Sequence, residues 1–348
     1  MLRLPWGGWC VSDPGAAEEL LRGPEFNGGR SGFFGDLLPT RESQVAVGHA
    51  VRDELRSRLP EYRAALAREA ALLPARSRWP EAATDLVHHA LADLLLRPDS
   101  PAQLRALMNK AVHGGVLFQA PGVWQRAWAE ILRARFIEAL TEHIGQRHKD
   151  RSTRNRDVLD AVLGSVPEGL ADRTAAEVFL LVFRSVVAPV SASLAWAVLL
   201  AATRQEGGGP LPWPADQVVR EALRHRPMVW MVGRSCPHAA ELAGRTIPAG
   251  EVVSVSPYLL HHDERVWPDP QEFRPERWSG PHRPGPYLPF GAGPFTCAGA
   301  AVAQELMAAA LGALTGGGAR ITVTGGDLRP AMVEGAVPRP FTLHRTAP

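Results

Sequence analysis

The chain has 348 residues, enough for one large core or two smaller ones. Its 45% hydrophobic and 21% charged residues are those of an ordinary globular protein and exclude a disordered or fibrous chain. The formal net charge is +2 with both signs interspersed, which gives neither a nucleic-acid footprint nor a polybasic membrane patch.

Pro14–Arg22 reads as a short helix opening after Asp13, followed by a Gly- and Phe-rich loop from Asn27 to Pro39. Thr40 and Ser43 are candidate caps for a helix running to about Leu73, with Pro60 as its breaker. Helices are expected over about 79–95, 101–113, 122–147, 153–163, 171–203 and 215–225. The segment Val178–Thr203 is long and apolar enough to span a membrane. Arg184, Pro189 and Ser185, Ser191 and Ser193 interrupt it, so it is expected to be a buried core helix. Glu206–Pro214 reads as a loop between helices, not a domain linker.

After Arg226 the pattern changes. Met228–Gly233, Thr246–Ile247 and Val252–Val255 are short β-branched runs between Pro/Gly turns and read as strands. Pro268–Pro286 is irregular and dense in Pro, Arg and Trp. A Gly/Pro loop then leads to Cys297 and an Ala-rich helix from about Ala298 to Leu314, with strands expected near 320–324 and 341–344. The outline is a single mainly helical domain over 1–348 with small sheets, α+β by segregation.

The three cysteines, Cys10, Cys236 and Cys297, form neither a CxxC pair nor a zinc-ligand spacing with histidine. An odd, widely spaced set fits a reducing compartment. The opening MLRLPWGGWCVSDPG has no apolar leader core, so a cytoplasmic location is expected.

Cys297 is the residue placed for chemistry. It precedes a helix, whose positive end and free N–H groups favour thiolate, the metal-binding form. Glycines around it allow tight turns beside a flat ligand, and Phe290 lies seven residues earlier. The segment Phe290-Gly-Ala-Gly293-Pro-Phe295-Thr-Cys297-Ala-Gly299 resembles the haem-binding loop of cytochromes P450, FxxGxxxCxG. Two further matches follow the family order: Glu221-Ala-Leu-Arg224 fits ExxR, and Phe273-Arg-Pro-Glu-Arg277-Trp278 resembles the PERF element. The resemblance is specific over about 171–348 and weak over the first 120 residues.

The resemblance implies a haem enzyme holding haem b (iron protoporphyrin IX) through the Cys297 thiolate. Phe290, Gly293, Phe295 and Gly299 would then form the cofactor loop, and Arg234 would meet a haem propionate. It also implies that Glu221, Arg224 and Arg277 form a buried structural triad. The expected reaction is monooxygenation of a small organic molecule in bacterial secondary metabolism, driven by a ferredoxin, since no nicotinamide or flavin fingerprint is present.

Three departures bear on this expectation. Where the family carries an acid followed by an alcohol that relays protons to dioxygen, ungapped alignment puts Ala188 and Pro189. Arg184 lies one turn before Ala188 and is a candidate anchor for an anionic substrate; the other reading sends it outward or onto Glu177. The family's basic residue two positions before the cysteine is Phe295 here, and its early-helix motif with a basic residue facing a propionate, expected near Ser43–Val47, is not found there; His49 and Arg52 are nearby but off register. Peroxide-driven chemistry, an isomerisation, dehydration or nitrogen-group transfer, and a non-catalytic partner-recruiting domain are the alternatives. Trp230 and Met231 fall where the family lines its pocket. Phe33 and Phe34 suit either pocket lining or ordinary packing.

Overall fold

A computed structural model of the chain describes residues 1–29, 32–118, 122–149, 156–205, 209–280, 285–332 and 335–346. The expected loop start at 206–208, residues 281–284 of the irregular stretch and 153–155 of one expected helix lie outside these.

Two short strands, β1 (Leu2–Arg3) and β2 (Trp9–Val11), precede the helices α1 (Pro14–Arg22), α2 (Pro24–Asn27), α3 (Arg41–Ser57) and α4 (Leu59–Leu72). Asp13 caps α1 by accepting from Ala16 N–H at 3.0 Å, with Pro14 in the first turn. Thr40 and Ser43 close a reciprocal capping box on α3. The chain turns at Arg58, and Pro60 sits in the first turn of α4, where its missing N–H has no helical partner to lose.

Next come β3 (Arg76–Trp79), α5 (Glu81–Leu95), α6 (Ala102–His113), α7 (Val123–Lys149), α8 (Val158–Leu163), α9 (Asp172–Arg204) and α10 (Ala215–His225). The helix expected from 79 therefore starts at Glu81. Arg76–Trp79 is instead a strand, because its partner comes from the far end of the chain. The helix expected from 153 starts at Val158, where Asp157 caps it by accepting from Asp160 N–H at 2.7 Å.

The remaining elements are β4 (Val232–Ser235), β5 (Ala240–Leu242), β6 (Arg245–Ile247), β7 (Val252–Val255), α11 (Pro257–His261), α12 (Ala300–Thr315), β8 (Arg320–Thr324), β9 (Ala331–Met332), β10 (Ala336–Val337) and β11 (Phe341–Thr346). The strand expected over Met228–Gly233 moves to Val232–Ser235. The preceding carbonyls serve other donors: Met228 accepts from Ala336 N–H at 3.0 Å, and Trp230 accepts from the Ser256 hydroxyl at 2.8 Å.

One sheet has the order β1-β2-β7-β4. β2 runs parallel to β7 with Trp9 opposite Val253, and β4 runs antiparallel to β7 with Arg234 opposite Val253. A second sheet places β11 between β3 and β8, with Phe341 opposite Trp79 and Leu343 opposite Val323. The main core is helical and centres on α9, whose residues from Val187 to Ala201 are all buried except Pro189. The apolar stretch expected to be internal is so: 72% of its most apolar window is buried inside the fold. A smaller core joins α1 to the first sheet through Val11, Leu20, Leu21, Val253 and Val255. The tryptophans divide between roles: Trp79, Trp196 and Trp267 are fully buried, whereas Trp6, Trp124 and Trp128 are exposed.

Candidate cofactor site

The Cys297 loop is wedged between the two cores. Phe290 packs against the helical core and Ala292 against the smaller one. Cys297 N–H donates to the Phe290 carbonyl at 3.0 Å, closing the loop that brings the thiol to the mouth of α12. Gly291 and Gly293 both adopt φ +71. At Gly293 a side chain is also sterically excluded, because a Cβ would stand 2.1 Å from the Leu21 carbonyl oxygen of α1. Gly293→Ala is expected to destabilise the fold by about 1–3 kcal/mol. A thermal denaturation midpoint equal to wild type would contradict this packing.

Cys297 is surrounded by protein on most sides yet open to solvent on one. Burial pushes its thiol above the ordinary range, and the hydrogen bond from Gly299 N–H to sulfur pulls it part of the way back. The amide at the helix mouth favours thiolate, as expected, but desolvation outweighs it in the chain without a metal. A metal would reverse the balance by displacing the proton.

The residues fit a metal that brings its other ligands. Among the described residues no three of His, Cys, Asp or Glu converge, so a metal held by Cys297 would have to bring most of its other ligands. That is the role of the axial position of a macrocycle. The thiol is open to solvent on one face, and a Cβ at Gly299 would stand 3.9 Å from its sulfur.

Glu221, Arg224 and Arg277 come together. The Arg224 fork donates to Glu221 at 3.0 and 2.8 Å, and both residues are fully buried. Its remaining donors reach the carbonyls of His261 at 2.7 Å, Pro270 at 2.9 Å and Glu272 at 3.0 Å. Arg277 Nε donates to Glu221 at 3.3 Å, and Trp278 Nε1 and Arg274 N–H complete the carboxylate's shell.

Sequence reasoning missed His261, which links this brace to the cofactor loop. Its Nδ1–H donates to the Arg224 carbonyl at 3.0 Å, and its Nε2 accepts from Leu288 N–H at 2.8 Å, two residues before Phe290. The two partners fix a neutral tautomer. Replacing His261 with alanine leaves the buried Arg224 carbonyl unpaired, at about 1–3 kcal/mol, and frees the partly buried Leu288 N–H at a smaller cost. Urea denaturation checks this, and an unchanged midpoint would refute the link. No motif marked His261 in the sequence; the signal was only the first of two histidines closing the short apolar run Leu259–Leu260.

On α9, Leu181, Arg184, Ser185 and Pro189 are half-exposed among buried neighbours and lie on one helix face. α9 packs against α12, the helix that begins beyond Cys297. The helix continues through Pro189 without a break. Pro189 cannot donate to the Ser185 carbonyl, and the Ser185 hydroxyl is turned to the Val182 carbonyl at 2.8 Å. Ala188 is buried. Glu177 pairs with Arg173 at 3.6 Å.

Arg234 and Phe295 lie together, with the guanidinium 5.0 Å from the ring centroid. Arg41, which the sequence reading passed over, stands 5.1 Å from the same ring. His49 is exposed and Arg52 pairs with Asp53 at 2.8 Å. Phe34 is core and Phe33 is half-exposed beside it; Trp230 is partly exposed. A shallow groove of about 710 Å³, lined by Leu4, Trp6, Pro248 and Glu251 among others, contains none of these residues and takes no part in the site.

Residues 215–314, from α10 to the end of α12, match the family model for cytochrome P450. Cytochrome P450 3A29 of Sus scrofa is 44% identical over 100 residues, 28% of this chain and 20% of that protein. Thromboxane-A synthase of Macaca fascicularis is 43% identical over 88 residues, 24% of this chain and 16% of that protein. The matched segment thus spans about a fifth of the length of these curated relatives. The fold likeness extends over the whole chain. A post-tailoring hydroxylase of himastatin biosynthesis, HmtN, superposes with TM-score 0.75 at 18% identity, covering 99% of this chain and 93% of its own. EryK, a mutant solved with erythromycin B, gives TM-score 0.73 at 22% identity, covering 100% and 93%. A zebra fish cytochrome P450 solved with progesterone gives 0.76 at 20%, covering 97% and 93%. The Cys297 loop and the buried Glu221–Arg224–Arg277 brace both lie in the segment that matches the cytochrome P450 family model, and the chain as a whole has the cytochrome P450 fold.

Proposed function

We propose that the chain is a haem-thiolate oxidoreductase acting, as one domain over residues 1–348, on a small organic molecule in the cytoplasm. The observation that carries this reading is Cys297: a single solvent-reachable thiol on a loop clamped between two cores, with Gly299 N–H directed at its sulfur. Cys297 would hold the iron of haem b, with Phe290, Gly293, Phe295 and Gly299 shaping the loop and Arg234 at its polar edge. Bound in this way, haem supplies oxygen chemistry, which a thiolate ligand assists by favouring O–O cleavage. The likeness in fold to hydroxylases such as HmtN supports a place in bacterial secondary metabolism.

The chain's own residues set the substrate and oxidant. Arg184, on the half-exposed face of α9, would hold an anionic group of the substrate. Ala188 and Pro189 have no proton to hold or pass on, so a proton must come from water or from the substrate. That observation favours a second reading within the family, peroxide use or a reaction without dioxygen, over ferredoxin-driven monooxygenation.

The test supplies the haem-loaded protein with hydrogen peroxide in one arm, and with ferredoxin, its reductase and NADPH in the other. A panel of small carboxylic acids and neutral molecules is offered to both. An oxidised product with either oxidant supports the enzyme reading, and product with peroxide alone supports the second form. No product in either arm, together with no molecule shifting the haem spin state, would overturn it in favour of a non-catalytic domain.

A further inference from the structure

Only one face of the first sheet is packed into a core. Val253 and Val255 of β7 join the smaller core that also holds Ala292 of the Cys297 loop. Val252 and Ser254 alternate with them along the strand and point to the other face. There the β1–β2 turn, residues 4–8, and the β6–β7 turn, residues 248–251, flank the groove of about 710 Å³. Gly7 and Gly8 adopt φ +98 and +77, and a Cβ at Gly8 would stand 2.6 Å from the Val252 carbonyl oxygen. Glycine is therefore required for the first turn to close onto β7. Gly7 N–H donates to the Leu4 carbonyl at 3.1 Å, which leaves Trp6 at the tip of the turn, 69% exposed.

The groove carries an unmatched charge. Glu251 is half-buried, and its backbone is held on both sides: its carbonyl accepts from Cys236 N–H at 2.9 Å, and its N–H donates to the Pro248 carbonyl at 3.3 Å. Among the described residues its carboxylate meets no cation. Arg3 of β1 and Arg245 of β6 are committed to the Trp9 ring, at 5.8 and 5.6 Å from its centroid, and Trp9 pairs with Val253 on the opposite face. Ser254 lines the groove and is only 6% exposed, yet its hydroxyl has no hydrogen-bond partner among the described residues. Buried hydroxyls are ordinarily paired, so an open one in a groove wall marks a place for a ligand's donor. Leu4, Trp6 and Val252 supply an apolar wall beside the carboxylate, and an indole face attracts a cation.

We propose that this groove is a second ligand site, separate from the Cys297 cleft, for a small organic ammonium ion with an apolar body. Glu251 takes the charge, Ser254 Oγ accepts an N–H of the ammonium group, and Trp6, Leu4 and Val252 hold the body. The volume lies within the range of small-molecule sites, roughly 300–1,000 Å³. None of the lining residues belongs to the Cys297 loop, so the site stands independently of the haem reading.

Isothermal titration calorimetry on the full chain tests this with two probes of one skeleton, 2-phenylethylammonium and the uncharged 2-phenylethanol. The wild-type chain should bind the ammonium roughly tenfold or more tightly than the alcohol, the worth of one charge-assisted hydrogen bond. Glu251→Gln should bring the two affinities together, and Trp6→Ala should weaken both probes alike. Glu251 is partly exposed and Trp6 largely so, and neither side chain braces the fold, so both variants should fold as wild type. Equal affinity for the two probes in the wild-type chain, or no binding of the ammonium, overturns the site. A preference for the ammonium that survives Glu251→Gln also overturns it, because the amine then binds elsewhere, as it would on an iron at Cys297.

Discussion

Arg224→Met is expected to cost about 3–5 kcal/mol, a large fraction of the roughly 5–15 kcal/mol that holds an ordinary domain together. The reason is what it strands rather than what it removes. Glu221 stays fully buried with its charge, facing only Arg277, Trp278 and the Arg274 amide. Three carbonyls, those of His261, Pro270 and Glu272, lose their donor at the same time. Arg224→Lys keeps the charge but not the fork, so it should fall between the two. Denaturant midpoints measure both; a midpoint for Arg224→Met within about 0.5 kcal/mol of wild type, the range of a surface substitution, would contradict the brace.

Mild acid is expected to unfold the chain. His88, His143, His225 and His261 are buried, and burial lowers their pKa values to about 4, about 4, about 3 and about 3. Three already accept hydrogen bonds that protonation would break, from Arg147 to His143, Arg226 to His225 and Leu288 N–H to His261. His88 donates Nε2–H to Asn109, and its buried Nδ1 has no acceptor for a second proton. The sign follows from linkage. Each histidine takes up its proton near 6.5 when unfolded but only near 3–4 when folded, so stability is full above about pH 6.5 and falls as pH drops below it. By pH 5 each costs about 2 kcal/mol, and four cost about as much as a typical fold possesses. Circular dichroism from pH 8 to 4 should show unfolding near pH 5. A flat signal across that range would refute the buried neutral histidines.

Local features were readable from the sequence, and distant partners were not. Asp13 before Pro14, and Thr40 three residues before Ser43, are complete signals because a cap and its helix are neighbours in the chain. The loop that leads to Cys297 and the Glu221–Arg224 helix were equally legible, since each pattern sits within a few residues. Arg76–Trp79 was read as helix because its ladder partner is Phe341–His344, more than two hundred residues on. Trp9–Val11 escaped for the same reason: it pairs in parallel with Val253–Val255. Arg41 looked like an ordinary first-turn residue, and only the fold brings it to the Phe295 ring and the Asn27 carbonyl. At Cys297 the sequence showed the helix end that favours thiolate but not the desolvation that opposes it.

The most direct test of haem-thiolate ligation is the absorption spectrum of the purified, hemin-loaded chain after dithionite reduction and exposure to carbon monoxide. Cys297 as the axial ligand predicts a strongly red-shifted Soret band, absent in Cys297→Ala. An unshifted band in the wild-type protein, or no haem retained after loading, would contradict it.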